Sequence, residues 1–283
     1  MIAANPGLWS KIAAAFLLLF LLSAADIQRT REINPQEQDI IDAAAEESGE
    51  ETPEKKLFRV VIDAGHGGEE TGAGVKGVYE KNINLSVAEI LARKINDSHE
   101  RIEAYLTRES DISVSPDDRA GFANNKKAIL YLSVHCDNVP AADVSGYKIY
   151  YPRGDQQQEQ EQDISMKEWE KAHLYFINES KKAAIYIMQY MQTVISSGET
   201  EGGSSVLPIP LRGEQAVRSS VLKGMEMPAV LIELGNINNP IDVSYLKDRG
   251  TQDIIARHIA EGVFNYIHDG FLQYEDYAEE ADE

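Results

Sequence analysis

Four residues combine side chains that bind metals or move protons with positions where such groups can meet. His66 follows the apolar run Leu57–Asp63, in Asp63-Ala64-Gly65-His66-Gly67-Gly68. His135 closes the run Ala128–Val134, and Glu233 lies in Ala229–Leu234. Glu80, in Tyr79-Glu80-Lys81-Asn82, precedes a helical pattern. Two histidines and a carboxylate are the usual donors of a catalytic zinc with one open position. A further carboxylate would serve as general base. Spacing alone does not say whether Glu80 or Glu233 takes which part. Taken singly, each residue has a plainer explanation. The glycines could form a tight turn, and Glu80 could favour the positive end of a helix. No Gly-Lys-Ser/Thr follows the glycines, which excludes a P-loop. The joint placement of all four at strand and helix ends favours the metal.

The elements that must position them alternate. Leu57–Asp63, Ile102–Leu106, Ala128–Val134, Ser145–Tyr151 and Ala229–Leu234 read as strands. Ile83, Val87, Ile90, Leu91 and Ile95 recur at helical spacing, as do Ala184, Ile187, Met188, Met191 and Ile195. Ile255, Ile259, Val263, Tyr266 and Ile267 mark a last helix. Strands separated by helices predict an α/β fold. We expect a single domain with a mainly parallel mixed sheet flanked by helices. In such sheets, side chains at the carboxyl ends of neighbouring strands converge on one crevice. The metal site is therefore expected there.

Charge and composition separate this domain from its flanks. Formal net charge is -20. That excludes a duplex-binding protein, which needs a basic face to release counterions, so no nucleic-acid partner is expected. Residues 26–56 and 274–283 each carry a net -6. Residues 26–56 are too polar to order themselves and read as an acidic flexible linker. Residues 273–283 read as an acidic tail. The apolar run Ile12–Ala25 after Lys11 ends in small residues, as in a secretory signal. It is shorter than the ~20 residues that span a bilayer. Residues 1–25 are thus a signal peptide or short membrane anchor, and 57–272 the catalytic domain. With one cysteine, Cys136, no intramolecular disulfide can form. Adjacent side chains of a strand face opposite ways, so Cys136 should turn away from the site.

Several motifs together resemble the zinc-dependent N-acetylmuramoyl-L-alanine amidases of bacterial cell-wall turnover. They are Val61-Ile62-Asp63-Ala64-Gly65-His66-Gly67-Gly68, Glu80-Lys81-Asn82-Ile83-Asn84-Leu85, Leu106-Thr107-Arg108, Arg119 with Ala123-Asn124, and Ser133-Val134-His135. Met227-Pro228-Ala229-Val230-Leu231-Ile232-Glu233-Leu234-Gly235 and Asn239-Pro240 follow in the family's order. The resemblance implies zinc on His66, Glu80 and His135, with Glu233 catalytic. It implies hydrolysis of the amide between N-acetylmuramic acid and the L-alanine of the peptidoglycan stem peptide, in cell-wall turnover or daughter-cell separation. Asp63, Arg108 and Arg119 are the residues expected behind the ligands or at the substrate. The enzyme would be exported to the periplasm or cell envelope of a bacterium, touching membrane only through an uncleaved N-terminal segment. A monomer is expected, and the resemblance admits a protein activator.

The chain departs from the family at three places. Asp63-Ala64-Gly65-His66 stands where Asp-Pro-Gly-His is usual, Cys136-Asp137-Asn138 where Ala-Asn is common, and Gly235-Asn236 where Gly-Phe is usual. One subgroup of the family plugs its site with a helical insertion. Asp155 to about Glu179 is the place for one here, but Trp169, Ala172 and Ser180 resemble the ordinary short connection. Two other readings share the metal site: a carboxypeptidase acting on wall peptides, and a non-catalytic amidase-like regulator.

Overall fold

Phe58–Ala64 is apolar at nearly every position and buried throughout except Arg59, as a central strand with both faces covered must be. In the computed structural model it forms β1. The structure describes residues 56–154, 168–197 and 210–272. The expected signal or anchor, the tail, all of the linker but Lys56, and most of the segment considered as a plug fall outside these.

The other strands are β2 (Gly74–Val75), β3 (Val78–Tyr79), β4 (Ile102–Leu106), β5 (Leu130–Asp137), β6 (Tyr147–Pro152), β7 (Leu211–Val217) and β8 (Ala229–Asn236). The helices are α1 (Glu80–Asn96), α2 (Pro116–Asn125), α3 (Glu168–Ser197), α4 (Pro240–Leu246) and α5 (Arg249–Ile267). Six strands form one sheet in the order β4-β1-β5-β8-β6-β7. The first four run parallel, whereas β6 pairs antiparallel with β8 and parallel with β7. The sheet is therefore mixed and mainly parallel, as expected from sequence. A two-stranded ribbon, β2–β3, stands apart.

Alternation divides the buried residues between the two faces. Val60, Ile62, Leu132, Val134, Val230 and Ile232 join α1, α3 and α5 in the larger core. Val61, Tyr131, Ala229 and Leu231 meet Ala123 of α2 in a smaller one. Cys136 is in the larger core, so it does turn away from His135.

The short ribbon β2–β3, strand β7 and helices α2 and α4 were not foreseen. Strand β7, Leu-Arg-Gly-Glu-Gln-Ala-Val, has no apolar alternation because it is an edge strand with no fully buried position. Helix α2 buries only Arg119, Ala120 and Ala123, too few for a helical apolar stripe. Its start was nonetheless marked: Ser115 caps Asp118 N, Pro116 opens the helix, and Asp117 and Asp118 fill the first turn. No helix of the described residues is long and apolar enough to cross a membrane.

Candidate active site

Strands β1, β5 and β8 deliver their carboxyl ends side by side. Asp63 pairs in register with Ser133, and His135 with Glu233. Beyond β1 the chain turns sharply through Gly65, Gly67 and Gly68. His66 adopts φ 59, a left-handed conformation unusual for a residue with a Cβ. Glu80 opens α1 and is buried.

His66, Glu80 and His135 meet at this edge. Their ligand atoms all lie within 4.8 Å of one another, and this is the one such cluster among the described residues. Glu80 Oε1 is 3.2 Å from His66 Nε2 and 2.9 Å from His135 Nδ1. It also accepts from Cys136 N at 3.1 Å and Asn84 Nδ2 at 3.3 Å. Glu80 Oε2 accepts from Ala73 N at 2.8 Å. Burial alone would raise the Glu80 pKa, but hydrogen bonds from His135 and His66 outweigh it and hold the group ionised. The hydrogen bond to Glu80 raises the His66 pKa against burial, which lowers it. Burial pushes the Cys136 thiol well up, so it offers no thiolate to a metal. A buried carboxylate between two imidazoles suits a divalent cation of the zinc type, which takes N and O donors.

The glycines are there for space. A Cβ on Gly65 would lie 2.2 Å from His135 Nε2. One on Gly72 would lie 2.5 Å from Glu80 Oε2 and 2.6 Å from His66 Cδ2. Only glycine lets the backbone come this near the three side chains.

Glu233 stands on the next strand. Its Oε2 is buried without a hydrogen-bond partner. Burial, then the charges of Glu80 and Asp137, push its pKa up to about 8, with Arg212 opposing them. Arg212 Nη1 is 2.6 Å from Asp137 Oδ2, so this ion pair borders Glu233. A carboxyl that neighbours keep protonated more readily than usual is suited to general acid–base work.

Asp63, Arg108 and Arg119 lie behind the turn and are buried. Arg108 donates to the carbonyls of Ala64, Gly65, Lys81 and Ser110. Arg119 donates to those of Ala64, His66 and Val114 and pairs with Asp63. Asp63 also accepts from Thr107 Oγ1 at 2.6 Å and Ser133 Oγ at 2.7 Å. Their polar atoms are thus committed to shaping the loop that carries His66. Sequence reasoning gave Asn84 no separate role. It lies one helical turn after Glu80 and joins Glu80 Oε1 to the Gly65 carbonyl. That four-residue spacing was the available signal.

Comparison with known proteins gives a consistent result. The family model for N-acetylmuramoyl-L-alanine amidase matches residues 60–265. An endolysin of Bacillus phage SPP1 is 31% identical over 74% of this chain, which spans 66% of the endolysin. The N-acetylmuramoyl-L-alanine amidase AmiA of Escherichia coli is 29% identical over 74% of this chain and 76% of its own length. The solved amidase AmiC2 of Nostoc punctiforme shares 26% identity with a TM-score of 0.59, covering 75% of this chain and 97% of that one. The match includes the strands, the turn and the α1 start that bring His66, Glu80, His135 and Glu233 together, and this chain belongs to the N-acetylmuramoyl-L-alanine amidase family.

Proposed function

We propose that this chain is a zinc-dependent amidase that cleaves the amide between N-acetylmuramic acid and L-alanine in peptidoglycan. The observation that carries this reading is the meeting of His66, Glu80 and His135 within 4.8 Å, drawn from three separate segments of a family-typical fold. These three would hold the metal. When bound, zinc supplies Lewis acidity, polarising the scissile carbonyl and acidifying water toward pKa ~7. Glu233 takes a proton from the attacking water on its carboxylate and gives it to the amide nitrogen, since an amine must be protonated to leave. Its unpartnered Oε2 leaves an oxygen for that task. Glu80 cannot share it, because both its oxygens are committed. Asp63, Arg108 and Arg119 act from behind, by fixing the turn under His66.

Peptidoglycan lies outside the cytoplasm, so the enzyme works there, in the periplasm or envelope. In this reading residues 1–25 direct export or anchor the chain, 26–56 are the linker, 57–272 the catalytic domain and 273–283 a tail.

Mass spectrometry of peptidoglycan digested by the purified protein tests the proposal. Stem peptides with a free L-alanine amine, released from intact glycan, are expected. Release of single amino acids would instead mark a carboxypeptidase. Bound metal with no product would mark an amidase-like regulator.

A further inference from the structure

Strand β6 pairs antiparallel with β8 and places Lys148 directly opposite Glu233. Paired residues of neighbouring strands share a face. Tyr147 and Ile149 point the other way, into the core beneath α3. Lys148 and Tyr150 therefore stand on the face that carries Glu233, away from that helix. The Lys148 ammonium donates to Gln215 Oε1 at 2.7 Å and sits 4.8 Å from the centre of the Tyr150 ring. No carboxylate of the described residues pairs with it, in a chain with 47 acidic and 27 basic residues. Arg212, the neighbouring cation on this face, is already neutralised by Asp137.

A cation rooted opposite Glu233 on the neighbouring strand, with a neutral amide and a ring as its contacts, is equipped to receive an anion from the substrate. We propose that Lys148 is a specificity residue that binds the free carboxylate of the stem-peptide residue following L-alanine. This rests on the amidase reading above. With the scissile nitrogen at Glu233, the next residue begins about one extended peptide unit away, ~3.8 Å. Paired Cβ atoms are ~4.5–5.5 Å apart. A flexible lysine stem spans the remaining distance. The carboxylate would take the hydrogen bond that Nζ now gives Gln215, replacing a neutral acceptor by a charged one, which is the stronger contact. Lys148 would therefore favour a stem peptide whose second residue presents a free carboxylate over one in which that group is a carboxamide.

The test compares two soluble muramoyl peptides that differ only there, one with a free α-carboxylate and one with its carboxamide. The wild-type protein should prefer the acid on the order of tenfold in kcat/KM, as expected for one charge-assisted contact at a partly exposed position. The preference should reside in KM. Lys148→Met should bring the ratio near one, and Lys148→Arg should restore most of it. Isothermal titration of the acid peptide into Glu233→Gln should show weakened binding when Lys148→Met is added. A Lys148→Met protein that hydrolyses both peptides with the wild-type ratio overturns this proposal alone. A wild-type protein that binds metal but hydrolyses neither overturns the amidase reading, and this proposal with it.

Discussion

Arg119 links the buried carboxylate of Asp63 to the backbone of His66: one guanidinium nitrogen meets Asp63 and another donates to the His66 carbonyl at 2.9 Å. His66 needs such a hold, because its left-handed backbone is costly for a residue with a Cβ and must be imposed by its surroundings. The ion pair thus fixes the direction in which one imidazole leaves the turn.

Asp63→Asn should therefore cost stability as well as order at the site. Removing one partner of a buried pair costs roughly 3–5 kcal/mol. The pH dependence has a definite sign. Burial would raise the Asp63 pKa, but the Arg119 charge and hydrogen bonds from Thr107, Arg119 and Ser133 bring it below its usual 3.8. A carboxyl depressed in the folded state stabilises it above the unfolded pKa, and that contribution is lost as pH falls through the folded value. Urea unfolding should show the wild-type advantage in full at neutral pH and shrinking below about pH 4. An advantage that grows in acid would contradict the assignment.

Gly65→Ala places a Cβ 2.2 Å from His135 Nε2, a distance no real contact sustains, so the imidazole must move. We expect metal affinity to fall on the order of 10–100-fold, as when groups that orient a ligand are lost. Competition titration with a chromogenic chelator measures this directly. Gly72→Ala should behave alike through Glu80 and His66, with added strain from its φ of +63. Gly77→Ala is the matched control: its φ is also positive, but open space surrounds its Cβ position.

How much of this was legible beforehand depended on where each residue sits. His66, His135 and Glu233 could be placed together because β1, β5 and β8 are buried apolar runs whose ends are marked by polar residues and glycines. Glu80 could be placed near them because it opens α1. The work of Arg108 and Arg119 could not be read. A buried guanidinium spent on backbone carbonyls looks, in sequence, the same as one facing a substrate. Strand β7 escaped for a related reason. An edge strand keeps polar residues, and its placement of Arg212 against Asp137 depends on pairing with β6.

Glu233→Gln separates chemistry from metal binding. Gln keeps the shape but cannot take up and release a proton as the carboxyl does. Metal content by elemental analysis should stay at the wild-type level, while muropeptide release falls by roughly 10²–10⁴-fold, the usual worth of a general acid–base group. Metal loss in this variant would place Glu233 among the ligands instead.

Metal removal should register in stability as well as activity. An ion that binds only the folded chain stabilises it by mass action, about 4 kcal/mol at a thousand times Kd. The three residues proposed to hold it come from the β1 turn, the start of α1 and the end of β5, so losing it should release three segments of the sheet edge at once. Chelator treatment should lower Tm, abolish peptidoglycan cleavage, and be reversed by added zinc. His66→Ala should have a Tm that responds little to either treatment, since one of the three proposed ligands is gone. If chelation lowers Tm equally in wild type and His66→Ala, the ion responsible is held somewhere other than His66, Glu80 and His135.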